Sequence, residues 1–216
     1  MPNVFKKTSN ILVRTTFIMG GVILASIIVV AGRITPYTHD LYLSPEQPAP
    51  FSHKHHAAQL GIDCRYCHTG VEETGFAGVP PTETCYTCHS QIWVNSPLLK
   101  PVRDSYETGV PIEWARVYNV PDFVYFDHSI HVAKGVSCVS CHGQIDKQNL
   151  TNKEVAMEML WCLDCHRQPE ESLRPLDKVF DMTWEAPANQ TEIGKQMVKD
   201  RKINTHQIQN CSVCHR

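Results

Sequence analysis

All ten cysteines of this 216-residue chain sit in five C-x-x-C units: Cys64/Cys67, Cys85/Cys88, Cys138/Cys141, Cys162/Cys165 and Cys211/Cys214. A histidine follows each unit at once: His68, His89, His142, His166 and His215. C-x-x-C-H is the signature of covalent haem attachment. The two thiols add to the haem vinyl groups, and the adjacent imidazole ligates the iron from the proximal side. Zinc is the chief competing chemistry. Gaps of 17 residues between Cys67 and Cys85, and of 20 between Cys141 and Cys162, suit a zinc ribbon. Yet five pairs cannot be grouped two by two, and zinc has no use for five trailing histidines. Disulfides across a two-residue loop are poor staples, and the βαβ setting of redox C-x-x-C motifs is missing. The pattern therefore predicts five covalently bound c-type haems.

Seven histidines are left over: His39, His53, His55, His56, His128, His131 and His206. Two stretches repeat each other. Phe51 to His56 reads F-x-H-x-x-H before Cys64, and Phe126 to His131 reads the same before Cys138, 75 residues on. Each copy leads into two successive C-x-x-C-H units, so the simplest organisation is a duplicated two-haem unit plus one C-terminal haem. Histidines three apart share one face of a helical turn, so one short piece of backbone can hold two neighbouring irons.

This pattern resembles the class III cytochromes c, the c3 and c7 types. The resemblance implies that the first histidine of F-x-H-x-x-H ligates the next haem in sequence and the second reaches a different one. His53, His56, His128 and His131 are then distal ligands. The fifth haem lacks the motif, and His206, five residues before Cys211, is the remaining histidine partner. His39 is assigned to the membrane interface and His55 to solvent. Met157, Met159, Met182 or Met197 is the alternative at one distal position, since His/Met ligation also suits c-type haem and raises its potential. An iron with both axial positions filled offers substrate no place. No catalytic residue is expected, and the chain reads as an electron carrier and not an enzyme.

The elements that must carry these sites are few. Thr15 to Gly32 is an 18-residue stretch without a charge, roughly 27 Å long as a helix and close to the ~30 Å hydrocarbon core of a bilayer. Lys6, Lys7 and Arg14 precede it and Arg33 follows, so the positive-inside rule puts the N-terminus in the cytoplasm and the haems on the periplasmic face. An uncleaved signal anchor is preferred to a signal peptide, because Val29-Val30-Ala31 is a weak cleavage match. Tyr37 and Tyr42 suit the interfacial belt. The fold class is mainly α with much irregular coil, a c7/c3-like multihaem cytochrome plus one N-terminal transmembrane helix. The expected domains are the anchor (1–33), a Pro-rich spacer (34–50) and a pentahaem domain (51–216). Within the last come a first two-haem unit (51–90), a link (91–125), a second two-haem unit (126–167) and the fifth haem (168–216). Helical spacing predicts helices over Thr151–His166 and Thr191–Arg201. The prolines and glycines of Ser90–Asp122 predict an extended link.

Composition sets outer limits. At 42% hydrophobic and 19% charged residues the chain is not disordered, and a net charge of −2 argues against a nucleic-acid partner. Only 8% of residues are aromatic, as expected if macrocycles replace much of the side-chain core. Two propionates per haem would make the loaded protein more acidic. Arg65, Arg167 and Arg216, inside or directly after haem motifs, are their candidate partners.

Beyond the haem motifs, the whole chain resembles the pentahaem, single-anchor cytochrome subunit of bacterial alternative complex III, a quinol:electron-acceptor oxidoreductase. The anchor, FSHKHHAAQLGIDCRYCH (51–68), VPPTETCYTCH (79–89) and IEWARVYNVPDFVYFDHSIHVAKGVSCVSCH (112–142) carry the resemblance. It implies an iron–sulfur partner related to molybdopterin oxidoreductases, polytopic quinol-binding subunits and a monohaem cytochrome c. A tetrahaem-type membrane quinol dehydrogenase is the runner-up. A pentahaem nitrite reductase is less well matched, because no C-x-x-C-K unit is present.

Overall fold

The computed structural model describes residues 7–38 and 40–215, so Lys6, His39 and Arg216 lie outside the described residues. The chain divides into two compact units after Leu41. The first is a single helix, α1 (Lys7–Thr38). Its stretch Thr8–Arg33 has a mean hydropathy of 2.2 and is long and apolar enough to cross a membrane. Phe17, Ile23 and Val29 stand open on different sides of it. A helix apolar all round is suited to lipid. The helix continues past Gly32 to Thr38 and so takes in the first residues read as spacer. Extending a formed helix needs no new nucleus, so a few polar residues join it readily.

The second unit is built from short helices joined by irregular chain. In order they are α2 (Cys64–Cys67), α3 (Thr82–His89), α4 (Lys100–Thr108), α5 (His128–Ala133), α6 (Cys138–His142), α7 (Met159–Arg167), α8 (Gln190–Asp200) and α9 (Cys211–Cys214). Among the described residues there is no strand; isolated bridges join Val124 to His215 and Val136 to Leu173. Helices of four to nine residues do not persist alone, so local caps and distant contacts must hold them. Asp63 caps α2 by accepting from the Arg65 N–H at 2.8 Å, and Asp127 caps α5 by accepting from Ser129 N–H at 2.8 Å. Ser137 caps α6 and, almost fully buried, donates its hydroxyl to the Val179 carbonyl at 2.9 Å.

Two expected elements differ. The helix predicted from Thr151 begins only at Met159. Long-range bonds hold residues 151–158 in another form: Lys153 O accepts from Tyr42 N–H (2.8 Å) and the Tyr118 hydroxyl accepts from Glu154 N–H (2.9 Å). Met157 takes a left-handed φ of 57°, which no helix tolerates. The link after Ser90 is not simply extended, since it contains α4. Pro101 lies in the first turn of α4, and Gly109 ends it at φ 71°, the usual proline-first, glycine-last arrangement. α4 packs on α3 through stacked Tyr86 and Tyr106 rings (3.8 Å) and a Thr82–Ser105 hydroxyl bond (2.7 Å). The second predicted helix is α8, seen within a residue of the expected Thr191–Arg201.

α8 lies against the 3₁₀ turn Pro169–Glu171, where Gln190 Nε2 donates to the Glu170 and Leu173 carbonyls at 2.9 and 2.8 Å. Arg201, just past its end, donates to the Lys134 and Arg174 carbonyls at 2.8 and 2.7 Å. Gly194 is buried at this contact, where an added Cβ would meet the Glu170 carbonyl. Gly194→Ala is expected to cost about 1–3 kcal/mol by overpacking, read as a lower denaturant midpoint of the haem-loaded protein. An unchanged midpoint would show that α8 does not need this approach.

The ordinary core is small. Its buried apolar residues among those described are Ala49, Val71, Val102, Leu173 and Val179. Many larger apolar side chains, including Phe76, Trp93, Phe123 and Met159, stay exposed but line one large open cavity.

Candidate functional site

That cavity measures about 2640 Å³, well above the ~1,000 Å³ upper range of ordinary small-molecule pockets. All ten cysteines line it, together with His53, His55, His56, His68, His89, His128, His131, His142, His166 and His215. Each C-x-x-C unit lies on one of α2, α3, α6, α7 and α9. On a helical turn, residues three apart share a face, so both thiols of a unit are offered to one side. The following histidine sits at or just past the end of that helix.

The distal histidines come to meet the proximal ones. His53 faces His68 with ring centroids 6.5 Å apart and planes 9° from parallel. His56 faces His89 at 6.2 Å and His131 faces His166 at 6.1 Å. Metal–imidazole bonds of about 2 Å on each side, plus the half-width of two rings, require roughly this separation around one metal. The residues fit a haem iron. His128 stands in the second repeat where His53 stands in the first, edge-on to its phenylalanine, and both His128 and His142 line the same cavity.

Hydrogen bonding selects the nitrogen each ring presents. Nδ1 of His68 donates to Gly78 O (2.7 Å), of His166 to Ile208 O (2.7 Å), of His89 to Ile92 O (3.2 Å) and of His215 to Phe123 O (3.2 Å). On the distal side His56 donates to Ser52 O (2.8 Å), His128 to Gly75 O (2.9 Å) and His131 to Asp127 O (2.6 Å). Nδ1 of His53 shares a hydrogen bond with Thr151 Oγ1 at 3.1 Å. A ring tied at Nδ1 keeps Nε2 free as the metal-binding nitrogen, and its partner fixes tautomer and orientation.

The phenylalanine of each repeat has a defined place. Phe51 stands edge-on to His53 (86°) and stacks on His56 at 4.4 Å. Phe126 stands edge-on to His128 (89°) and stacks on His131 at 4.7 Å. The copies therefore share geometry as well as spelling, although the first turn (Lys54–Gln59) is a π-helix and the second is α5. The Asp127 carboxylate accepts from the Ser129 hydroxyl (2.7 Å) as well as its N–H, which holds the carboxyl below its ordinary range. Asp127→Ala removes the cap of the turn that carries both histidines. We expect a loss of about 1 kcal/mol in thermal unfolding, with Asp127→Asn retaining most of it; equal loss in both variants would assign the effect to charge.

Electrostatics favours neutral rings. Burial, then nearby His68 and His56, lower the His53 pKa to about 4. Burial, then His128, His68 and His53, lower that of His142 to about 4. A neutral imidazole is the form that binds metal. Burial raises the thiols of Cys138 to about 11 and Cys141 to about 12. Once attached as thioethers they no longer titrate.

The structure does not bring every expected residue together. His206 is exposed at the start of the 3₁₀ turn Gln207–Gln209 and does not line the cavity, whereas Met157, Met159 and Met182 do. His55 bonds Gln59 Oε1 through Nδ1 (3.0 Å) and stacks on Trp93. Arg65 is held by both Asp63 oxygens (2.9 and 2.8 Å) and lies over Phe180, which drives the Asp63 carboxyl to about 2. Arg167 pairs with Asp164 on the surface at 3.3 Å.

Sequence reasoning passed over Arg174. This cation is 9% exposed, lines the cavity, lies over Trp184 and donates to the Asp181 carbonyl at 2.9 Å. It lies eight residues past His166, outside any motif, so only burial reveals it. A buried cation calls for an anion, and a haem propionate is of the right kind. Tyr118, whose ring meets His142 edge-on at 4.3 Å, was missed for the same reason.

Comparison with known proteins agrees with this donor set. Residues 124–216, spanning the second repeat and the last attachment motif, match the family model of cytochrome c7 and related cytochrome c. The multihaem cytochrome c subunit of a menaquinone reductase from Nitratidesulfovibrio vulgaris is 30% identical over 185 residues, 82% of this chain and 80% of that one. Such cytochromes hold c-type haem covalently and serve electron transport. With paired thiols on single helical turns and imidazoles facing each other at metal-bridging distance, the chain belongs to the family of multihaem cytochromes c that includes that subunit, and residues 124–216 are of the cytochrome c7 type.

Proposed function

We propose that the chain is a five-haem electron-transfer subunit of a membrane quinone/quinol oxidoreductase of the alternative complex III type. The observation that carries the reading is the set of facing imidazoles, His53/His68, His56/His89 and His131/His166. When bound, haems in such sites exchange single electrons. The chain supplies covalent attachment at ten cysteines, neutral axial imidazoles and an apolar cavity. With both faces of the iron occupied, it is not itself a catalyst of substrate chemistry. His128/His142 completes four bis-histidine sites, and His215 holds the fifth with His206 or a cavity methionine opposite. The helix α1 anchors the chain, with Lys7 and Arg14 on the cytoplasmic side and the haem sites outside. An iron–sulfur subunit, polytopic quinone-binding subunits and a monohaem cytochrome are the proposed partners.

The relative's description as a menaquinone reductase subunit favours a second reading of direction, in which electrons flow toward quinone. Purified full-length chain, matured with haem, should contain five haems per polypeptide by haemochrome assay and bind no CO when reduced. In membranes carrying the complex, reduction of these haems by menaquinol supports flow from quinol, and reduction only by a periplasmic donor supports the reverse. Four or fewer haems per chain would sink the five-haem reading. A near-infrared methionine–iron band decides the fifth distal ligand.

A further inference from the structure

The distal ligands and their hydrogen bonds connect neighbouring sites in a definite order. His53 and His56 lie on one turn, yet face His68 and His89 respectively. The first and second sites are therefore neighbours. His128 and His131 share α5, and His131 faces His166; with His128 holding the third site, as proposed above from the repeat, the third and fourth sites are neighbours.

The two repeats are joined through the first and third sites. His53 bonds Thr151 across 98 residues, and Lys54 N–H donates to Gln148 O at 3.0 Å, six residues after His142. In return His128 donates from both its backbone N–H (3.2 Å) and Nδ1 (2.9 Å) to Gly75 O, seven residues after His68. The fourth site then reaches the fifth, because His166 Nδ1 donates to Ile208 O, three residues before Cys211.

We propose that the five haem sites follow one another in space as second, first, third, fourth, fifth, so that the first site in sequence is interior and the second is terminal. The proposal rests on the five-haem reading above. Exposure agrees independently, since Cys88 of the second site and Cys211 of the fifth are the exposed cysteines and the other eight are partly covered. Partners that exchange electrons with the chain then meet it at the second and fifth sites, not at the first.

Anomalous scattering at the iron edge from crystals of the full haem-loaded chain tests this directly. Five iron peaks are expected, with the iron of the Cys64/Cys67 site flanked by those of the Cys85/Cys88 and Cys138/Cys141 sites. An iron at Cys85/Cys88 lying nearer the third site than the first would overturn the order. Fewer than five peaks, with the remaining neighbours as stated, would refute only the haem number. As a solution check, Thr151→Val should shift the midpoint potential of the haem attached at Cys64, identified by paramagnetic NMR. A shift confined to the third or fourth haem would contradict the link between repeats.

Discussion

Chain produced without haem attachment is expected to lose the cooperative fold of residues 42–215 while keeping α1 helical in detergent. The expectation follows from where the apolar side chains point. Few apolar residues are buried by protein alone, and Phe76, Trp93, Phe123 and Met159 turn toward the central cavity. Without a hydrophobic body there, those surfaces meet water, and burial of apolar area is the main favourable term in folding. The helices that bear the motifs run from four to nine residues, too short to nucleate unaided. Nothing in the second unit replaces the missing core, because no strand ladder occurs among the described residues. Near-ultraviolet circular dichroism and limited proteolysis of Cys→Ala chain should show no fixed tertiary packing and rapid cleavage throughout 42–215. A sharp thermal transition in that material would show that protein contacts suffice. α1 is exempt because its stability comes from its own apolar surface in a lipid-like medium.

Removing one distal imidazole should have the second large effect, and a local one. His131 faces His166 at 6.1 Å and is stacked by Phe126 at 4.7 Å. His131→Ala leaves the opposite face of that site without its ligand in an apolar surround. The reduced variant is expected to bind one CO per chain where the parent binds none, and the oxidised variant to show one high-spin haem. Added imidazole should restore the parent spectrum, which a general loss of packing would not allow. His55→Ala is the comparison, since that ring is engaged by Gln59 and Trp93; CO binding by His55→Ala and not by His131→Ala would reverse their roles.

Much of the site was legible in the sequence because attachment is a local property. A helical turn puts the two cysteines of Cys64/Cys67 on one side whatever surrounds it, and the next residue already brings an imidazole to the end of that turn. The repeated F-x-H-x-x-H was legible for the same reason, although the packing of Phe51 and Phe126 on the histidines explains its first letter only in three dimensions. α4 left its own marks, Pro101 in its first turn and Gly109 at its C-cap, but the same two letters also suit an extended link. The helix predicted from Thr151 failed for a different reason. Bonds to Tyr42 and Tyr118, more than thirty residues away, outweigh local spacing there.

Sequence by itself thus marked the C-x-x-C-H motifs, the apolar span and the two-fold repeat. Each needs only neighbours within a turn or a run of similar residues. Tertiary structure alone decided which imidazole faces which, that His206 stays outside the cavity while Met157 lines it, that Arg174 is a buried cation, and how the sites are ordered. Those outcomes depend on loops closing over tens of residues, as where His53 meets Thr151 across 98. Such closure is favourable only once many contacts form together, so no local pattern in the chain records it.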